Sequence, residues 1–236
     1  MSKTKFSIVN WENIFKHSNE FQNNNPSWTF IKKIFDEEFY DGLCKTYPKI
    51  DDSWTNRDSF DKEGYAKDWK SQELQKGVQI VKNSKDNSLS EYWNDLFAYI
   101  WTEEFIQNIR KFSNVSVSRV KHFSFMSYSK GGFQLPHIHN VGPSTLILML
   151  YFSKGWEKND PGGTYVCTEE DISTMIFEPY DLDNTAMIFH DGPNAGHGAR
   201  RIEKDVERKA IQIYLEEYSE VNGWSGNKED TPLIEL

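Results

Sequence analysis

The spacing of hydrophobic and polar positions changes about halfway along the chain. Up to Asn114 the apolar residues recur at helical intervals, as in Phe97, Ile100, Phe105 and Ile109. Beyond it they recur every second residue, as in VSVSRVKHFSFMSY (115–128). In the first half, Asp36 is placed to cap a helix from Glu37 to about Thr46, with acidic residues in its first turn and Pro48 just past its end. Ser90 is placed to cap Glu91 to Trp101, and Thr102 a following helix through about Lys111. A strand is expected over Trp28 to Phe35. Residues 48–76 are polar and aromatic without a period, which predicts a loop with short elements. Trp54, Arg57 and Trp69 within it point to a lid on the substrate side.

In the second half STLILMLYF (144–152) reads as a strand buried on both faces, and TYVC, STMIFEP, TAMIFH and KAIQIYLEEY as short strands separated by Gly, Pro, Asn and Asp. Many short strands with turn signals predict a sandwich, jelly roll or barrel. The fold class expected is therefore mainly β with flanking helices (α+β). The Asn-rich run QNNNPS closes an N-terminal arm over residues 1–25, and residues 26–236 form a single domain. Within that domain 26–114 supply helical support and the lid region, and 115–218 supply the β core. The acidic stretch from Glu216 to Glu220 is expected to be a solvated end.

Composition narrows the function classes. A chain of 236 residues suits one substantial domain. A formal charge of −9 lacks the basic footprint that nucleic acid or an anionic membrane surface requires, so a small-molecule or peptide substrate is expected. The two cysteines, Cys44 and Cys167, have no C-x-x-C spacing, which argues against a disulfide framework or a thiolate zinc site. No apolar run approaches the roughly 20 residues of a membrane span, and a soluble protein of the reducing cytoplasm is expected. Aromatic residues make up 15%, with Trp11, Trp28, Trp54, Trp69, Trp93 and Trp101 in the first half. Packing accounts for most of these rings, with a minority expected at a substrate mouth. Nothing in the sequence decides the oligomeric state.

The candidate chemistry lies in YSKGGFQLPHIHNVGPSTLILMLY (128–151). Side chains two apart on an extended backbone share a face, so His137 and His139 can converge on one ion, with His197 completing a facial set. A lone H-x-H is a weak signal, since a histidine is more often a satisfied polar residue than a ligand. Context strengthens it: four of the six histidines, His137, His139, His190 and His197, lie within one glycine-rich, strand-rich stretch, and Arg208 follows them.

Several separate pieces occur in order: Y-x-x-G-G-x-x-x-P-H-x-H-N from Tyr128, L-Y-F around Tyr151, W-x(5)-GG from Trp156 to Gly163, I-F-H-D-G-P-N-A-G-H ending at His197, and R-K-A-I-Q-I-Y from Arg208. Together they resemble the catalytic core of the iron(II)- and 2-oxoglutarate-dependent dioxygenases, especially the prolyl-4-hydroxylase-like branch. The resemblance covers about residues 120–218, and WTFIKKIFDEEFYDGL looks like the strand and helix that often precede this core. It implies a double-stranded β-helix, a cupin-like jelly roll with the metal at its open end. It further implies Fe(II), 2-oxoglutarate as co-substrate and O2, with oxidative decarboxylation coupled to hydroxylation of a substrate. Carried over, His137 matches the first iron ligand and His197 the distal one. Arg208 matches the residue that grips the far carboxylate of 2-oxoglutarate, and Tyr128 and Tyr151 match phenols placed against the co-substrate. Gly162 and Gly163 match a turn.

One position departs from the pattern. Where the family carries Asp or Glu, this chain has His139, which leaves a bound Fe(II) site one unit more positive. Three readings are open. His139 is a third ligand; or it swings away and leaves an open position of the halogenase type; or Asp191 supplies the carboxylate, although a turn or an acceptor for an imidazole N–H suits Asp191 better. A different class also competes, a three-histidine cupin-like metal protein that acts without 2-oxoglutarate or merely senses it. Arg208 is the residue that discriminates, because only a 2-oxoglutarate user needs it.

Overall fold

A computed structural model describes residues 7–69, 85–139 and 145–217. Strands β1 (Trp28–Lys32), β2 (Thr55–Ser59), β3 (Lys62–Asp68), β4 (Arg119–Tyr128), β5 (Phe133–His137), β6 (Thr145–Phe152), β7 (Thr164–Cys167), β8 (Met175–Phe177), β9 (Asp183–His190), β10 (Gly196–Ala199) and β11 (Arg208–Glu216) form one curled antiparallel sheet. Its order is β1-β9-β6-β11-β4-β3-β5-β10-β7-β8, with β2 paired to β3. This is the jelly roll expected from the sequence. Strands β1, β9, β6, β11 and β4 make one wall, and β5, β10, β7 and β8 make the other. β3 joins them, pairing β4 through Tyr65–Asp68 and β5 through Lys62 and Glu63.

Alternation along β6 and β11 divides the core in two. Leu146, Leu148, Leu150 and Phe152, with Ile211, Ile213 and Leu215, face the helical layer. Ile147, Met149 and Tyr151, with Ala210 and Tyr214, face the interior of the roll. Every residue of β6 is buried, as a strand covered on both faces must be.

The helical layer comprises α1 (Trp11–Phe15), α2 (Ser18–Asn23), α3 (Glu37–Lys45), α4 (Glu91–Tyr99) and α5 (Glu103–Ser113). The expected caps operate at two of them: Asp36 accepts from the amides of Glu38 and Phe39, and Thr102 accepts from that of Phe105. Ser90 stands at the N-cap of α4 without a side-chain capping bond, its hydroxyl pairing instead with that of Thr46 at 2.8 Å. Trp93 wedges between Phe125 and Phe152, with ring centroids 4.9 and 5.2 Å away. In the arm, Phe21 packs on Phe112 of α5. Among the described residues no helix is long and apolar enough to cross a membrane.

Some expectations need correction. The stretch 48–76, expected as loop with short elements, contains the β2–β3 hairpin over residues 55–68. The β2 sequence TNRDS is exposed along most of its length, so no hydrophobic alternation marks it; residues 70–76 of the expected loop lie outside the described residues. Trp54 and Trp69 are buried in the helical layer, where Trp69 stacks on Phe97 at 4.0 Å, so of the expected lid residues only Arg57 reaches the interior cavity. Glu216 is fully buried against Arg119 and Lys121 rather than solvated, because it ends a core strand in the interior phase; residues 218–220 lie outside the described residues. The strand from Trp28 also ends earlier than expected, at Lys32, because Lys33 adopts a left-handed conformation (φ 56°).

Candidate metal centre

β5 and β10 pair so that His137 stands directly opposite His197, and His139 follows two residues beyond His137, past the end of β5. Ring centroids are 4.3 Å apart for His137 and His197, and 4.9 Å from His139 to each of the others. One ligand nitrogen from each ring lies within 4.8 Å of the other two. The remaining nitrogens are committed. His137 Nδ1 donates to Leu135 O at 3.0 Å, His197 Nδ1 to Ala195 O at 3.0 Å, and His139 Nδ1 to Asp191 Oδ2 at 2.7 Å. An acceptor-only oxygen on each Nδ1 places the proton there and leaves Nε2 with its lone pair.

His197 Nε2 is buried with no hydrogen-bond partner, and His137 Nε2 has only the Gln134 amide nitrogen at 3.4 Å. Burial, reinforced by the neighbouring His137, pushes the His197 pKa down to about 3, and burial lowers that of His137 as well. These two rings are thus held neutral, the state a divalent cation binds. Three convergent imidazole donors, one of them buried without a partner, fit a metal ion such as Fe(II).

Arg208 lies at the other side of the same cavity, which has a volume of about 280 Å³. It begins β11 opposite Tyr128 of β4 and is 1% exposed. Its Nη2 donates to Thr164 Oγ1 at 2.9 Å, while Nε and Nη1 have no partner. No carboxylate lies within salt-bridge distance among the described residues. The guanidinium carbon sits 4.8 Å from the Tyr128 ring centroid and 5.3 Å from that of Tyr151. A buried cation costs several kcal/mol unless an anion meets it, so this geometry fits a carboxylate ligand. Tyr128 lines the cavity, and its hydroxyl donates to Gln134 Oε1 at 3.3 Å. Tyr151 is fully buried, and its hydroxyl accepts from the Thr164 amide at 2.9 Å.

The sequence residues therefore come together: His137, His139, His197, Arg208 and Tyr128 line one cavity, with Tyr151 behind Arg208. Asp191 occupies the position of an acceptor for an imidazole N–H. Residues missed from the sequence are Gln134, Thr164, Gln212 and the charged Asp61 and Lys62 of the β2–β3 hairpin, which line the cavity beside Arg57. Gln212 had a readable signal, since it shares the phase of Arg208 and Tyr214. Asp61 and Lys62 had none, because the hairpin's approach depends on Gly64, where a Cβ would stand 2.4 Å from the Tyr128 ring.

No protein-family model and no curated protein sequence matches the chain. Solved structures do share its fold. A prolyl-4-hydroxylase from Pseudomonas putida superposes with a TM-score of 0.63 at 11% identity, covering 87% of this chain and 100% of that one. A 2OG-Fe(II) oxygenase family oxidoreductase from Burkholderia pseudomallei gives 0.59 at 10% identity, covering 94% and 97%. A prolyl hydroxylase from Trichoplax adhaerens, solved with a hypoxia inducible factor peptide fragment, gives 0.59 at 11% identity, covering 87% and 91%. The fold of this chain is that of the prolyl-4-hydroxylase-like 2OG-Fe(II) oxygenases.

Proposed function

We propose that this protein is an iron(II)- and 2-oxoglutarate-dependent oxygenase that hydroxylates a small-molecule or peptide substrate, with His137, His139 and His197 as ligands and Arg208 as the co-substrate anchor. The observation that carries this reading is the pairing, in one cavity, of three histidines sharing a face with a buried arginine that has no carboxylate partner. When bound, iron(II) supplies the redox chemistry that couples decarboxylation of 2-oxoglutarate to oxidation of a substrate C–H bond.

The chain's own residues do the rest. The carbonyls of Leu135 and Ala195 hold two rings in the tautomer that presents Nε2, and Asp191 holds the third. Arg208 and Thr164 orient the far carboxylate of the co-substrate, which directs its oxo-acid end toward the histidines. Tyr128 and Tyr151 flank the guanidinium and keep water from it. Arg208 speaks against a metal protein indifferent to 2-oxoglutarate, and the short His139–Asp191 contact speaks against a site left open at position 139.

The test is succinate release from 2-oxoglutarate by the purified, iron-loaded chain, with anaerobic co-substrate titration beside it. Saturable 2-oxoglutarate binding that requires both iron and Arg208 supports the reading. Co-substrate binding that is equal in the Arg208→Ala variant overturns it.

A further inference from the structure

The carboxylate that the family pattern would put on the metal is absent from position 139, yet a buried carboxylate lies one ring farther out. Asp191 is fully buried, and its Oδ2 accepts from His139 Nδ1 at 2.7 Å and from the Tyr214 hydroxyl at 2.6 Å. An oxygen that accepts twice is in the pattern of an ionised carboxylate. Its Oδ1 is buried with no partner, and no Lys or Arg pairs with it among the described residues. The loop that carries it is tied down independently: Asp191 N donates to Thr145 O at 3.3 Å, and Thr145 Oγ1 donates to Asp191 O at 2.9 Å. Among the described residues the Asp191 side chain therefore meets His139 of the three-histidine cluster and Tyr214.

We propose that Asp191 is the carboxylate of this metal centre, moved back from the ion by one imidazole and aimed by Tyr214. Three neutral imidazoles around a divalent cation leave a charge of +2, and Asp191 behind His139 brings the assembly to +1. A centre with two histidines and one direct carboxylate reaches the same sum. The chain keeps the charge and changes its place. The reason it must be moved rather than added is repulsion. A carboxylate at position 139 would face the buried Asp191 at close range, where two like charges repel one another.

This inference rests on the metal-binding part of the reading above, and its test uses cobalt(II), whose visible absorption reports ligand number without any turnover. Four full-length chains are titrated: the parent, Asp191→Asn, His139→Asp, and both substitutions together. Asn keeps an oxygen to accept the His139 N–H, so the first substitution removes charge while sparing the hydrogen bond. It should weaken cobalt by about tenfold to a hundredfold. In the His139→Asp background the same substitution should act in the opposite direction, with the double variant binding on the order of tenfold more tightly than His139→Asp alone. Thermal unfolding of the metal-free chains separates affinity from folding. Should Asp191→Asn not fold, Tyr214→Phe, which removes one of the two donors, should weaken cobalt severalfold in the parent. Asp191→Asn effects of equal sign in both backgrounds, or no effect in the parent, would overturn the proposal and leave Asp191 a loop anchor. An unchanged Tyr214→Phe affinity would overturn it too. A chain that binds cobalt in this pattern but releases no succinate defeats the oxygenase reading and leaves this one standing.

Discussion

Two arginines are buried in the interior of this protein, at opposite ends of the same pair of strands. Arg119 opens β4 opposite Glu216, the last residue of β11, while Arg208 opens β11 opposite Tyr128, the last residue of β4. Both are essentially inaccessible. Arg119 meets the carboxylate of Glu216 through Nε and Nη2, and Lys121 approaches the same carboxylate at 3.1 Å. Arg208 meets a threonine and two aromatic faces and retains two unpartnered nitrogens. Equal burial thus has opposite meanings. A buried arginine whose anion belongs to the chain closes one end of the roll; a buried arginine without such an anion lies at the end where we propose that the co-substrate binds.

Substitutions at the two ends should separate stability from binding. The largest expected effect is at the closed end. Glu216→Ala leaves a buried guanidinium uncompensated and should cost about 3–5 kcal/mol of unfolding free energy, measured by denaturant titration. A loss below about 1 kcal/mol would show that water or Lys121 takes over. At the open end Arg208→Ala removes an uncompensated charge, so the metal-free fold should be as stable as the parent or more so. Its 2-oxoglutarate requirement should rise on the order of a hundredfold, the roughly 2–5 kcal/mol of a broken buried pair. Isothermal titration of the iron-loaded chain checks this, with iron affinity as the control. A variant that loses stability instead would make the two ends alike.

The open end should also be the more sensitive to acid. His197 holds its proton in the unfolded chain below the usual value of 6.5 but in the folded chain only below about 3. Between these values the unfolded state binds the extra proton, so the stability of the metal-free protein should fall as pH falls from about 6.5 toward 3. Thermal unfolding against pH should show this decline, and His197→Gln should flatten it. The same slope in both chains would assign the decline elsewhere. The smallest effect is expected at Tyr128→Phe, which removes one 3.3 Å hydrogen bond to Gln134 while keeping the ring against Arg208. A change in 2-oxoglutarate affinity of about threefold to tenfold is expected, near the ~1 kcal/mol of a typical hydrogen bond. A loss matching that of Arg208→Ala would make the phenol an equal anchor.

The sequence by itself determined the long elements. Helices α3 and α5 carry caps and apolar stripes that local physics reads directly, β4 and β11 carry alternation, and β6 carries a continuous apolar run that marks a strand covered on both faces. It also determined which residues to suspect: the spacing of His137 and His139 and the phase of Arg208 within an apolar strand are one-dimensional signals. The tertiary structure decided what each charge meets. Arg119 and Glu216 are 97 residues apart, and His139 and Asp191 are 52 apart. No local period encodes such a pairing, so the sequence left Glu216 looking like part of a solvated tail and left Arg119 unassigned. The short elements were equally illegible. β2 and β3 carry little apolar patterning, and β10 is four residues long. Such strands are stable only through the neighbours that hydrogen-bond to them, and those neighbours bring His197 to His137 and the β2–β3 hairpin to the mouth of the cavity.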